Sequence, residues 1–443
     1  MEQPFVPFDA VMDGTPCAGY ARILGRRLHG GVTFLDVRWQ DQRIQLMLRR
    51  SETVAYEALR DLALGSLVWF EGTKGLTRAK LHAVFVTRAE TVWACPRPLP
   101  DKHHGIADVH RQVNRIDLLV VDDDTYRFAL AMSDMTTEIR LSFLRGGFRE
   151  FRTGVLQRFF EGGLAQPFTT ECRANGAAYA LSLTSELKLK RLIIAGVERG
   201  FEIAESFRNE GMDATHSPEF TLLEAYAVGE TCADMMRRTE DAVRSSAARF
   251  FGRFPAEGSD PHGLREAFGR PFARLAFNDA YKRFVDPEGF DGEAGLDRLI
   301  ARFPGQFVPG MNRFTWAMKT VERLIAPQLQ QPVFLTRLPS GLSPLVRCDP
   351  DRPEESCRAF LAIGGSFVAD LYEDESDLAA IRQAMEEQAR TTGREINTAY
   401  LDALAFGIPP TAGLGMGLNR LFMAFLPLIG LPAHIKETML YPL

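Results

Sequence analysis

Two segments of this 443-residue chain concentrate side chains able to hold and rearrange an anionic ligand. The first, FEIAESFRNEGMDATHSPEFTLLEAYA (201–227), reads as strand, polar loop, strand. Arg208 and Glu210 are expected to end the first strand, two residues apart on one face, with His216 in the loop. Phe220, Glu224 and Tyr226 share a face of the second strand by even spacing. A hairpin walled by a guanidinium, carboxylates, an imidazole and aromatic rings suits a flat charged ligand; a salt-bridged surface hairpin would have the same composition. The second segment, GIPPTAGLGMGLNRLFMAF (407–425), alternates glycine with apolar residues and then carries Arg420 into a helical pattern. Its spacing is GxGxG rather than the GxGxxG of dinucleotide sites. Alternate glycines leave one strand face flat, so a ligand or helix can approach closely. Arg420, near the helix start, is placed to meet a phosphate, or else to form a structural ion pair. No GxSxG, HExxH or Cys/His nucleophile pattern occurs, which removes the hydrolase classes that depend on them.

The elements that must position these residues fall into two groups. VTFLDVRW (32–39) and RIQLMLRR (43–50) alternate apolar and polar residues around Gln40-Asp41-Gln42, a hairpin signature. SLVWFEG (66–72) and LHAVFVT (81–87) are two further strands, and a helical stretch at 52–62 separates the pairs. Four or five strands with one inserted helix suit an OB-type barrel. Such barrels bind single strands by stacking bases on aromatic rings beside cations; Phe34, Trp39, Trp69 and Phe70 are candidates, most of them expected in the core. CPRPLPDKHHG (95–105) is a stiff linker, so the domains are expected at 1–98 and 106–443. The larger one mixes helical runs (232–251) with strand-like runs (199–207).

Composition narrows the class. With 52 Lys/Arg against 57 Asp/Glu the net charge is −5, against an all-over basic nucleic-acid binder. The first hundred residues carry 13 Lys/Arg and 10 Asp/Glu, so any basic surplus lies in the barrel. Six scattered cysteines without a CxxC pair argue against a disulfide or zinc-ribbon framework and for a reducing compartment. The N-terminus lacks the apolar core of a signal peptide. The apolar stretch 421–433 is too short to span a bilayer. A cytoplasmic protein without a membrane segment is expected.

Taken together, the two segments resemble motifs 2 and 3 of the class II aminoacyl-tRNA synthetases, closest to the lysyl-tRNA synthetases: FRNEGxxxxHxPEFTxxExY followed by GxPPTAGLGxGxxRL. The resemblance extends to TFLDVRWQDQRIQL, RPLPDKHHGIADV, GGLAQPFTT (162–170), LTSELKLKRLIIAGVERGFEI (183–203) and PVFLTRLPSGLSPL (332–345), nearly the whole chain. It implies an α+β fold, an N-terminal OB-fold anticodon-binding barrel followed by an antiparallel sheet flanked by helices. It also implies ATP as a substrate, tRNA as a partner and a homodimer built through motif 1. Arg208 would hold the α-phosphate and the amino-acid carboxylate, Glu210 and His216 would contact ATP, Phe220 would stack on adenine, and Arg420 would face the γ-phosphate. Glu186, Glu224 and Tyr226 would line the amino-acid pocket. Phe34 and Gln45 would meet the anticodon.

The sequence departs from this family at defined positions. The strand that carries two Mg²⁺-binding glutamates reads CRAFLAIGGSFVADLYEDESD (357–377), and both become phenylalanine, Phe360 and Phe367. A phenyl ring offers no oxygen to a cation that demands oxygen ligands, so the usual metal site is dismantled. The pocket asparagine and glutamate of that strand become Asp370 and Asp374, so acidity that would meet a cationic side chain is kept but rebuilt. Motif 1 ends in Gly154 where the family has proline, Asn419 replaces an aspartate, and Ala79 replaces an anticodon glutamate. These features leave three expectations. One is ATP-dependent activation of lysine or a similar cationic amino acid and its transfer to tRNA. The second is a paralogue outside translation, which aminoacylates a protein such as elongation factor P or a small molecule. The third is a non-catalytic protein that binds ATP or an amino acid.

Overall fold

The computed structural model describes residues 8–96, 99, 119–120, 122–158, 165–255, 260, 262–303, 313–340, 343, 345–392 and 396–442. Most of the proline-rich linker, and parts of the segments 162–170 and 332–345, lie outside the described residues. The chain divides into two compact units, Met1–Arg127 and Phe128–Leu443.

In the first unit, β1 (Pro16–His29), β2 (Val32–Trp39), β3 (Gln42–Arg49), β4 (Leu67–Leu76) and β5 (His82–Trp93) close a barrel in the order β1-β2-β3-β5-β4. The alternation read from β2 is observed: Thr33, Leu35 and Val37 are buried, with Phe34, Asp36 and Arg38 between them half-buried on the opposite face. Gln40 and Asp41 have φ of 48° and 59°, as a two-residue turn with both central residues left-handed requires. The inserted helix is shorter than expected, only Tyr56–Arg60. Thr53 and Val54 ahead of it are tied to β5 by the Thr53 hydroxyl on the Val86 carbonyl and the Val54 amide on the Thr87 carbonyl, which holds them out of helical geometry. Phe70 is core, Trp39 packs edge-on against it, and Trp69 lies under Arg88. Phe34 and Gln45 reach the same outward face. Phe34 pairs with Arg27 and Met47, and Gln45 pairs with Asp36, which Arg27 also contacts at 3.1 Å. Ala79 is exposed in the β4–β5 turn.

The second unit is built on an eight-stranded sheet. Its strands are β6 (Arg149–Glu150), β10 (Arg199–Phe207), β11 (Glu219–Val228), β12 (Ala273–Ala276), β13 (Val333–Thr336), β14 (Arg358–Ile363), β15 (Ser366–Glu373) and β16 (Thr411–Gly417). Their order is β12-β13-β14-β15-β16-β11-β10-β6, antiparallel except at the outermost pair on each side. A small sheet, β7 (Leu156–Gln157), β9 (Ala177–Leu181) and β8 (Thr169–Cys172), stands apart from it. The interior strands have apolar residues on both faces, as a sheet covered by helices on both sides must. The helix Cys232–Arg253 packs over one face through Met235, Ala242, Val243, Ala247 and Phe250. Its start is fixed by a reciprocal cap between Thr231 and Asp234. The opposite face meets the helices Glu186–Ile194 and Thr398–Leu404 through Leu187, Leu189, Ile193, Tyr400 and Leu401. The fold class is therefore α+β with an OB-like barrel, as the sequence implied. Among the described residues no helix is long and apolar enough to cross a membrane. Gly154 has φ of 84°, a conformation closed to proline, whose ring fixes φ near −65°; the family's motif 1 proline could not occupy this backbone.

Candidate active site

The centre of the sheet carries the candidate site because one face of β16, that of Gly413 and Gly415, is bare. Across it, Gly415 pairs with Glu224 on one side and Asp370 on the other; Gly413 likewise pairs with Tyr226 and Tyr372. Strands two apart in a sheet are too distant for ordinary side chains to meet. With no side chain on Gly413, the Tyr226 and Tyr372 hydroxyls approach to 3.0 Å over it. A Cβ on Gly413 would lie 2.2 Å from the Tyr226 ring, and one on Gly415 would lie 3.3 Å from the Glu224 carboxylate. The flat face expected from the GxGxG spacing thus exists, and it is filled by the side chains of Tyr226 and Glu224. Gly413→Ala is expected to destabilise the protein by about 1–3 kcal/mol through overpacking, and to disorder the tyrosine pair. Chemical denaturation checks the first effect and tyrosine fluorescence the second.

From this floor a buried hydrogen-bond chain runs outward. Glu224 accepts from the Thr184 hydroxyl and, at 2.8 Å, from Tyr226. Tyr372 donates at 2.8 Å to Glu186, the first residue of its helix. Glu224 is pushed up to about 8, by burial first and by the neighbouring Glu186 charge second; the hydroxyls of Thr184 and Tyr226 and the Lys190 cation oppose this. Burial works upward on Glu186 too, but Lys190 and the Tyr372 hydroxyl outweigh it and hold it below its ordinary value. One acid of the pair is therefore protonated at neutral pH and the other ionised, the way close buried carboxylates divide a charge.

The two rebuilt acids, Asp370 of β15 and Asp374 just past its end, already have partners within the protein. Asp370 receives a bidentate pair from Arg358 at 2.8 and 2.5 Å. Asp374 lies 2.7 Å from the ammonium of Lys190, which also meets Glu186 at 2.7 Å. Neither Lys190, Arg358 nor Thr184 was singled out from sequence. The Glu186–Lys190 spacing of four on one helix was the available signal, but nothing local says that this lysine is 1% exposed.

The anion-binding candidates gather at the other end of the hairpin. The strand expected to end at Arg208 and Glu210 stops instead at Phe207, which pairs with Glu219. Pro218, the next residue toward the loop, has no N–H to extend the ladder; its carbonyl accepts from the Arg208 amide, and the Asn209 amide turns to Gln166. Arg208 and Glu210 therefore sit in the loop. The Arg208 guanidinium lies 5.1 Å over the Phe220 ring, and its Nε is buried without a hydrogen-bond partner. Burial holds this guanidinium below its ordinary value and the nearby Arg420 adds to that, while Glu210 and Glu224 act the other way. Glu210 is exposed and accepts weakly from the Gln166 amide at 3.4 Å.

His216 joins two charges. Its Nδ1 lies 2.9 Å from Asp213 and its Nε2 lies 2.8 Å from Arg420. Since arginine can only donate, Nε2 accepts and the proton sits on Nδ1. Burial works upward on Asp213, but hydrogen bonds from Thr215 and His216 bring it down to about 2. Arg420, in the helix Leu418–Met423, also donates to the carbonyls of Thr215 and Phe367. A cleft of about 220 Å³ opens beside this loop, lined by Asp213, His216, Ser217, His434 and Lys436. Asn419, in the same helix, accepts from the Thr221 amide and donates to Thr438, which pins the helix to the hairpin.

The Phe360 and Phe367 rings pack together, with centroids 5.1 Å apart. Arg358 lies 4.9 Å over the first, and the second is 8% exposed. Among the described residues no group of three His, Cys, Asp or Glu side chains could hold a metal ion. Phe360 on β14 and Phe367 on β15 offer no oxygen, so these two side chains do not fit Mg²⁺.

The family described as tRNA synthetases class II (D, K and N) matches residues 109–443. The chain is 32% identical over 434 residues to a lysine–tRNA ligase of Dehalococcoides mccartyi (strain CBDB1), an alignment that covers 95% of this chain and 86% of that one. It is 30% identical over 441 residues to a lysine–tRNA ligase of Coxiella burnetii (strain Dugway 5J108-111) and 31% identical over 439 residues to one of Pasteurella multocida (strain Pm70), each with the same coverage.

Proposed function

The chain belongs to the class II tRNA synthetases of the D, K and N group, and from that premise we propose that its second unit joins a cationic amino acid, lysine or a close analogue, to ATP as an aminoacyl-adenylate and passes it to tRNA. The observation that carries this reading is the buried chain Thr184–Glu224–Tyr226–Tyr372–Glu186. It is an acid-rich cage beside an arginine whose Nε has no internal partner, as an amino acid with a cationic side chain and an anionic carboxylate requires. The amino-acid carboxylate attacks the α-phosphorus. An O–P bond forms, the bond to the bridging β-phosphate oxygen breaks, and pyrophosphate leaves with the electron pair. Little covalent work falls to the protein, so orientation and charge carry the step. Arg208 spans the carboxylate and α-phosphate, Phe220 stacks on adenine, Glu210 meets ATP, and Arg420, held by neutral His216, faces the γ-phosphate. On the barrel, half-buried Phe34 beside Arg27 and Gln45 offers a stacking surface to an RNA loop.

The packed phenyl pair favours a second reading, in which the adenylate serves an acceptor other than tRNA. Labelled lysine with ATP, total tRNA and cell protein separates the two. Label released by ribonuclease supports tRNA, and label released only by protease supports a protein acceptor. Adenylate with neither product supports a small molecule.

A further inference from the structure

Lys190 is a buried lysine that the proposed reaction leaves unused. Its ammonium lies 2.7 Å from both Glu186 and Asp374, with the Tyr226 and Tyr372 rings 5.2 and 5.1 Å away. Two carboxylates and two ring faces thus enclose a cation that belongs to the chain itself. The groups that act on it are Tyr372 from β15 and Asp374 just past that strand, Glu224 and Tyr226 from β11, Tyr400 from the helix Thr398–Leu404, and Glu186 from its own helix; Arg358 from β14 acts on Glu186, and Arg191 on Tyr400. Burial opposes the Lys190 charge, but Asp374 and Glu186 outweigh it, so the amine stays protonated well past neutrality. Burial raises Asp374 to about 6, which leaves it ionised at pH 7. With both acids ionised and Lys190 charged, Glu186, Asp374 and Lys190 together carry one net negative charge. Asp374, 5% exposed, keeps its Oδ2 without a hydrogen bond.

We propose that Lys190 is the positioning residue of the amino-acid pocket, tying Glu186 to Asp374 so that both carboxylates stay charged and one oxygen of Asp374 is left for the ammonium of a cationic side chain. The proposal rests on the reading of this pocket as the amino-acid site. Without the Lys190 cation, two carboxylates this close cannot both ionise in a buried setting; they hold a proton between them. A ligand ammonium must then expel that proton in order to bind.

The test is calorimetric titration of the full chain with lysine at pH 7, in two buffers of different ionisation heat, which gives both affinity and protons released. Lys190→Met is expected to weaken lysine binding at least tenfold and to release about one proton more than wild type. Lys190→Arg keeps the cation and is expected to stay within about threefold of wild type with an unchanged proton count. It carries the test if the methionine variant fails to fold, and a larger loss in a folded arginine variant overturns the proposal. Equal affinity and equal proton count in wild type and Lys190→Met also overturn it. So does weaker binding with an unchanged proton count and a lowered melting temperature, which marks a packing role. If the wild type binds none of lysine, ornithine and arginine, the reading of the pocket fails, and this proposal with it.

Discussion

Glu224→Gln is expected to flatten a fall in stability that the wild-type protein shows between about pH 4.5 and pH 8. Glu224 is 6% exposed, and burial, reinforced by Glu186, raises it from 4.5 to about 8. Below 4.5 the carboxyl is protonated in both folded and unfolded chains, and burying it neutral adds its full contribution. As pH rises past 4.5 the unfolded chain ionises while the folded one holds its proton, so that contribution shrinks. It is gone once the folded group also ionises, near 8. The total is on the order of 4 kcal/mol. Glutamine keeps the shape, carries no titrating proton and removes this loss. Asp374, raised to about 6, acts in the same direction over a narrower window and is retained in the variant. Urea denaturation at pH 5, 6.5 and 8 checks the claim. The variant should gain on wild type at each step upward, and parallel curves would show that Glu224 is not protonated in the folded chain.

Arg208→Ala is expected to separate activity from stability. Its Nε is buried without a partner and its guanidinium sits over Phe220, so among the described residues its removal breaks no ion pair and relieves a desolvated charge. Stability should change by less than about 1 kcal/mol. Activation should fall by about 10²–10³, the usual loss when one donor to developing charge is removed. Lysine at this position should recover little, since an ammonium cannot span two oxygens in the fork geometry of a guanidinium. Pyrophosphate-exchange kinetics alongside thermal unfolding decide this. A variant that loses both together points to a structural arginine, and one that keeps full activity removes Arg208 from the reaction.

Much of this architecture was legible from local chemistry. Alternation marked β2 and β3, the strand–loop–strand reading of 201–227 found β10 and β11, and the Gln40-Asp41 turn is where the sequence places it. The three glycines of β16 announced a flat face. What could not be read was its content, because Tyr226 and Tyr372 come from strands 146 residues apart and meet only over Gly413. The end of β10 was overextended because its stop is set from outside, by Pro218 and by Gln166 on a distant segment. Asp370 and Asp374 read as free pocket acidity, yet tertiary folding supplies Arg358 and Lys190 as their counter-ions. Nothing in the segment 183–203 set Lys190 apart from its neighbouring lysine, Lys188. Only the sheet beneath it and the helix Thr398–Leu404 beside it turn it into a buried charge.

The most direct measurement is ATP–pyrophosphate exchange by the full chain with lysine, ornithine, arginine and norleucine in turn. Norleucine has the length of lysine without its ammonium, so it isolates the charge the pocket is proposed to read. Exchange is expected with lysine or ornithine and not with norleucine. No exchange with any cationic amino acid, or norleucine supporting it as well as lysine, would contradict activation of a cationic amino acid at this site.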